Sequence, residues 1–158
     1  MSRRDLIRMT DEEVSRYLDE NKTLTIVSNG PDGHPHPMPM WFARDDDGHI
    51  RMGTYRTSQK IKNIQRDPKV TLLCESGTEY AELRGVVIYG HAEILDDYDL
   101  VVDTMLRASG QADGLPEDAG QADAIREAMR GTASKRYVIR IRPERVVSWD
   151  HSKLGGTY

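Results

Sequence analysis

The spacing of apolar and polar residues changes several times along this chain, and each change marks an element. Thr10-Asp11-Glu12-Glu13 is a capping-box pattern: Thr10 caps a helix and Glu13 reaches back. Val14 and Leu18 then fall at i and i+4, and the helix ends by Asn21. Residues 23–28 (TLTIVS) are rich in β-branched side chains and read as a strand, ended by the turn signal Asn29-Gly30-Pro31-Asp32-Gly33. Residues 34–44 alternate, with Met38, Met40 and Phe42 on one side and Pro37, Pro39 and Trp41 on the other. Pro35, Pro37 and Pro39 each remove a ladder donor, which suits a strand with one side unpaired, at an edge or facing a bound group. Asp45-Asp46-Asp47-Gly48 turns the chain into a partner strand, 49–55.

Residues 52–68, MGTYRTSQKIKNIQRDP, organise the rest. Their alternating start gives way at Arg56 to a short basic helix, for which Thr57 or Ser58 can supply the cap. Ile61 and Ile64 share its inner face, Gln59, Lys62, Asn63 and Arg66 point away, and Pro68 closes it. Free backbone N–H groups, two hydroxyls and Lys60 on the flank of the buried face form an anion site of the kind phosphates occupy. The plainer alternative is an amphipathic connector whose lysines are solvated.

Residues 69–75 predict a short buried strand. Residues 79–95 predict a long one, with Ala81, Leu83, Val87 and Tyr89 opposite Glu82, Arg84, Val86 and Ile88, and with bends at Gly85 and Gly90. Asp96-Asp97 opens a helix through about residue 108, burying Val101, Val102, Met105 and Leu106. Residues 109–123 read as a mobile polar insertion, and 122–130 as a second short helix ending at Gly131. Residues 135–142 form a strand with Tyr137, Ile139 and Ile141 inward; Pro143 breaks it, and 146–149 resume extended structure before the tail 150–158. About six strands in hairpin order without βαβ alternation predict one mainly β domain over residues 1–158, a six-stranded antiparallel barrel with peripheral helices.

Composition narrows the function. The net charge of −4 and pI near 5.7 argue against a nucleic-acid partner. Cys74 is the sole cysteine, so neither a disulfide framework nor a cysteine zinc site arises. No apolar run approaches membrane-spanning length, and MSRRDLIRMTDEE lacks a signal-peptide core, so a cytoplasmic protein is expected.

The order of motifs resembles the split β-barrel flavin and deazaflavin oxidoreductases, the pyridoxamine 5′-phosphate oxidase-like superfamily, and within it the actinobacterial group that uses coenzyme F420. The matching residues are Ser58-Gln59-Lys60, Asn63, Arg66-Asp67-Pro68, Glu82-Leu83-Arg84-Gly85 and the run from Ser148 to Gly155, within a likeness covering roughly residues 10–155. The resemblance implies an FMN-binding-like split barrel. It places the cofactor phosphate at Ser58 and Lys60, with Thr57, Gln59 and backbone donors beside it. It lays the ring along Pro39-Met40-Trp41 and passes the ribityl chain near Thr54. A homodimer completing the site is implied too, with Arg140 and Trp149 as candidate contributions from the second subunit. The ending SWDHSKLGGTY lacks the Arg- and His-bearing end associated with pyridoxal phosphate, which argues against vitamin B6 as substrate.

The implied reaction is hydride transfer between F420 and an unsaturated small molecule such as an enone, a quinone or a tetrapyrrole, chemistry that belongs largely to the cofactor. FMN is the alternative cofactor, since the same phosphate site serves both; F420 adds a lactyl-glutamate tail for which Lys62, Arg66 and Lys135 are candidate partners. A non-catalytic flavin- or haem-binding protein is the other alternative, with His91 or Met40 as candidate axial ligands. No triad or carboxylate pair stands out, and the catalytic proton donor stays unassigned among Tyr55, Tyr89 and His91. His34 and His36 form an HxH beside a turn with no third ligand in view, so no metal site is expected. Trp41 reads equally as core or as a ring neighbour, while Met38, Met40 and Phe42 read as core packing. Arg84 is either an ion-pair member or a ligand contact.

Overall fold

The computed structural model describes residues 2–155, apart from the side chain of Arg3; the tail residues 156–158 lie outside the described residues. A short helix α1 (Arg3–Leu6) precedes α2 (Asp11–Glu20), which Thr10 and Glu13 cap reciprocally as its sequence predicts. The strands are β1 (Thr23–Asn29), β2 (Pro35–Trp41), β3 (Ala43–Arg44), β4 (Ile50–Tyr55), β5 (Lys69–Ser76), β6 (Arg84–Leu95) and β7 (Arg136–Asp150). Helix α3 (Gln59–Arg66) links β4 to β5, and α4 (Tyr98–Ala108) and α5 (Ala119–Ala133) link β6 to β7. One sheet runs β2-β1-β5-β6-β7-β4-β3, with every pair antiparallel.

The two edge strands, β2 and β3, are separated in sequence by Phe42 alone. The two sheet edges therefore meet, and the sheet curls into a split barrel. The described residues hold seven strands rather than the expected six. Phe42 is the reason: its ring is buried, and the turn of the chain there divides the expected strand 34–44 between the two edges. β2 has only β1 as its sheet neighbour, as three alternating prolines require.

Three further expectations are corrected. β7 is not broken at Pro143 but continues to Asp150, taking up one extra residue in a bulge: Tyr89 faces Arg145 and Gly90 faces Pro143. Gly90 makes room, since a Cβ there would lie 2.4 Å from the Arg142 carbonyl. Helix α5 is longer than the predicted 122–130 and passes straight through Gly131. The long strand also starts later than residue 79, because Tyr80–Glu82 forms a 3-10 turn.

The barrel interior is filled by Leu24, Ile26, Met52, Leu72, Val86, Ile88, Ile139 and Ile141, closed by Tyr17, Leu18, Ile61 and Ile64 from α2 and α3. A second cluster, Val101, Val102, Leu106, Ala133 and Val138, seats α4 and α5 on the outside of β4 and β7. A buried ionic link joins these layers: Arg51 on β4 reaches Asp45 (2.7 Å) and Asp103 (2.9 Å). Asp103 also accepts from the Leu115 N–H, and Arg107 donates to the carbonyls of Ala112 and Asp113. The segment expected to be a mobile insertion is thus partly pinned to α4. No helix among the described residues is long and apolar enough to cross a membrane.

Candidate functional site

Alternation along β4 aims Ile50, Met52 and Thr54 into the barrel, and α3 returns over the same end. Lys60 therefore points inward. It is 7% exposed, and its ammonium donates to the Thr54 hydroxyl at 3.1 Å. Thr54 in turn donates to Ser58 Oγ at 3.3 Å. Burial pushes the Lys60 pKa below its ordinary value, with no charged partner among the described residues to offset it. The two predicted phosphate residues, Ser58 and Lys60, are thus joined through Thr54, the residue expected beside the ribityl chain, into one hydrogen-bonded group.

Ser58 occupies the N-cap position of α3 but makes no side-chain cap bond. Its hydroxyl is turned to Thr54 instead of serving the helix, contrary to the capping role read from the sequence. Thr57 and Gln59 are exposed. Asn63, expected to point away, is fully buried: it donates to Ser28 Oγ at 3.0 Å and accepts from Gln59 Nε2 at 2.9 Å. Apolar spacing alone hid this. The buried face of α3 is Lys60, Ile61, Asn63 and Ile64, half of it polar.

Pro39 and Trp41 are exposed and Met40 is half-buried, so the strand predicted to border a ring presents side chains to an open surface. Of Met38, Met40 and Phe42, read as core, Phe42 is buried and Met40 packs part-buried against the barrel core, whereas Met38 is 37% exposed and is corrected. Trp41, at 56% exposed, is no core residue; the Lys22 ammonium sits 4.0 Å from its ring centre. Met40 and Trp41 line a cleft of about 490 Å³ with Gly53, Met105, Leu106, Met129 and Arg136. Gly53 and Thr54 are neighbours on β4 with opposite faces, one turned to this cleft and the other to Lys60.

Arg140 and Trp149 do not join this group within one chain. Arg140 pairs with Asp47 (3.1 Å), Glu93 (3.6 Å) and Asp45 (3.9 Å). Trp149 lies over Gly85 near the far end of β7, where a Cβ on the glycine would come 2.1 Å from the indole ring. Tyr55 stacks beneath the Arg136 guanidinium, Tyr89 beneath that of Arg145, and His91 Nδ1 lies 2.8 Å from Glu144. Arg84 is resolved as an ion-pair member, 3.3 Å from Asp150, with its guanidinium over Tyr17. Arg66 donates to the Asn29 carbonyl, while Lys62 and Lys135 are exposed. His34 is exposed, and no group of three metal-binding side chains occurs among the described residues.

A family model described as pyridoxamine 5′-phosphate oxidase matches residues 10–150. The chain belongs to the pyridoxamine 5′-phosphate oxidase family. No curated protein matches it significantly in sequence. Among solved structures, it is similar to the conserved hypothetical protein Rv2991 from Mycobacterium tuberculosis, at 33% identity over 100% of this chain and 95% of that one, with a TM-score of 0.81. It is also similar to a protein described as an F420 reductase (24% identity, 78% and 87% covered, TM-score 0.56). A third neighbour is HutZ, the heme storage protein from Vibrio cholerae (14% identity, 90% and 97% covered, TM-score 0.60). At their lower identities the last two share the fold with this family member.

Proposed function

We propose that this protein is an oxidoreductase that uses coenzyme F420 for hydride transfer to an unsaturated small molecule, with FMN as the alternative cofactor. The carrying observation is the Lys60 ammonium, buried beside the Thr54 and Ser58 hydroxyls with no carboxylate paired to it among the described residues. A buried cation of this kind costs the apo fold stability and gains a partner when a phosphate ester arrives. The residues fit that group: one cation and two hydroxyls converge where β4 yields to α3. F420, when bound and reduced, supplies the hydride. In this reading Lys60, Thr54 and Ser58 hold the phosphate, Thr57 and Gln59 stand at its solvent side, and Pro39, Met40 and Trp41 border the ring. The F420 reductase among its structural neighbours supports this choice of cofactor.

The active form in this reading is a homodimer. Val87, Tyr89, Val147 and Trp149, with Ile7, line an outward-facing cavity of about 420 Å³ on β6 and β7 that Arg4, Ser148 and His151 complete, a mostly apolar face with a polar rim suited to a second copy. Arg140 and Trp149 remain proposed contributions across that contact.

Parallel titration of the apo protein with F420, FMN and haem tests the proposal. F420 binding tighter than FMN, with no haem Soret band, is expected, followed by oxidation of reduced F420 in the presence of enones or quinones. Haem binding alone would replace the enzyme with a haem carrier.

A further inference from the structure

The cleft beside the ring strand has a chemistry of its own. Met40, Met105, Leu106 and Met129 form apolar, sulfur-bearing walls. Gly53 is its floor: a Cβ there would meet Met105 Cγ at 3.4 Å, so any larger side chain would encroach on the space. Arg136 is the only charged residue among those lining it. Its guanidinium lies 4.1 Å from the Tyr55 ring centre and donates to the Thr132 carbonyl, and no carboxylate pairs with it among the described residues. Arginines nearby differ: Arg51, Arg56, Arg107 and Arg140 are each matched to an acidic side chain.

We propose that this cleft takes the flat apolar acceptor of the reaction and that Arg136 binds a carboxylate carried by that acceptor. A guanidinium fixed on an aromatic face keeps its remaining N–H edge oriented, and that edge matches a carboxylate in a fork. Unbranched methionine side chains adjust to a planar ring system. A volume of about 490 Å³ suits a small molecule of a few fused rings. The assignment rests on the cofactor reading above, because an acceptor beside Met40 and Trp41 meets the ring only if the ring lies along that strand.

Calorimetric titration of the apo protein with 2-naphthoate and neutral 2-naphthamide tests it without any turnover. The wild type is expected to bind the naphthoate about tenfold tighter than the amide. Arg136→Gln should equalise the two, and Gly53→Val should weaken both. No preference in the wild type, or a preference that survives Arg136→Gln, overturns the assignment. F420 and FMN titrations of Arg136→Gln complete the test. Unchanged affinities support the acceptor role, whereas loss of F420 affinity alone gives Arg136 to the cofactor tail and overturns it. A wild type that keeps the naphthoate preference but binds neither cofactor removes the cofactor reading and the acceptor role, while the ligand class of the cleft stands.

Discussion

The Lys60 ammonium lies 3.1 Å from the Thr54 hydroxyl, buried on the inner side of α3 with no acidic partner among the described residues. Such a charge weakens the apo fold and is positioned for an anion. Lys60→Met should therefore leave the apo melting temperature unchanged or raised. The same change should weaken F420 or FMN binding at least tenfold, about 1.4 kcal/mol. Thermal melts beside cofactor titrations check this; a clear loss of stability with unchanged affinity would make Lys60 a structural residue.

Burial holds the Lys60 pKa below 10.5. Through that window the unfolded chain keeps a proton that the folded chain has already released, so apo stability rises with pH there. Below the folded pKa both states are protonated and the full penalty applies. Phosphate binding favours the charged form, so cofactor affinity should fall as pH rises through the same window. Titrations at several alkaline pH values should show this decline in the wild type and a flatter profile in Lys60→Met.

Thr54→Val keeps the shape of the side chain and removes the sole hydrogen-bond partner found for the Lys60 ammonium. The expected loss is about 1–3 kcal/mol for an unsatisfied buried donor. In the Lys60→Met background the same change should cost much less, and the shortfall is the coupling energy of the pair. Urea unfolding of the four proteins measures it; additive losses would mean that the two groups do not interact.

Burial alone would raise the Asp103 pKa, but the Leu115 N–H and the guanidiniums of Arg51 and Arg107 outweigh it and hold the carboxyl below its usual range. That stability is present above about pH 4, where even the unfolded carboxyl is ionised, and is lost as pH falls through the folded pKa. Asp103→Asn should destabilise the protein by about 1–3 kcal/mol, because Arg51, only 5% exposed in its side chain, loses one of its two acidic partners and keeps Asp45. Denaturation at neutral and acid pH should show the gap between variant and wild type narrowing in acid.

Val147 stands on the outward face of β7 among Val87, Tyr89 and Trp149. Val147→Glu would bury a carboxylate in the proposed contact between two copies, at a cost of several kcal/mol. Sedimentation velocity should show a dimer for the wild type and a monomer for the variant. A monomeric wild type would remove the homodimer and the proposed roles of Arg140 and Trp149 across it.

Much of the architecture was legible in the order of residues. Thr10 and Glu13 announce α2, the alternating prolines announce an edge strand, and the motifs around Ser58-Gln59-Lys60 announce the family, because each is a local pattern whose physics lies within a few residues. Burial of polar groups was not legible. Apolar periodicity assigns a helix face by its isoleucines, so the inward turn of Asn63 and the seclusion of Lys60 emerged only when α3 was laid across the end of the barrel. Phe42 likewise looks like one more alternating residue until the two sheet edges meet around it and the strand divides. The charge without a partner at Arg136 and the cleft over Gly53 depend on elements far apart in sequence, β4, α4, α5 and the start of β7, and only their packing brings those groups together. Sequence determined the elements and their order, since those follow from local propensity and spacing; packing decided which polar groups were left unmatched, since that depends on what every other element brings beside them.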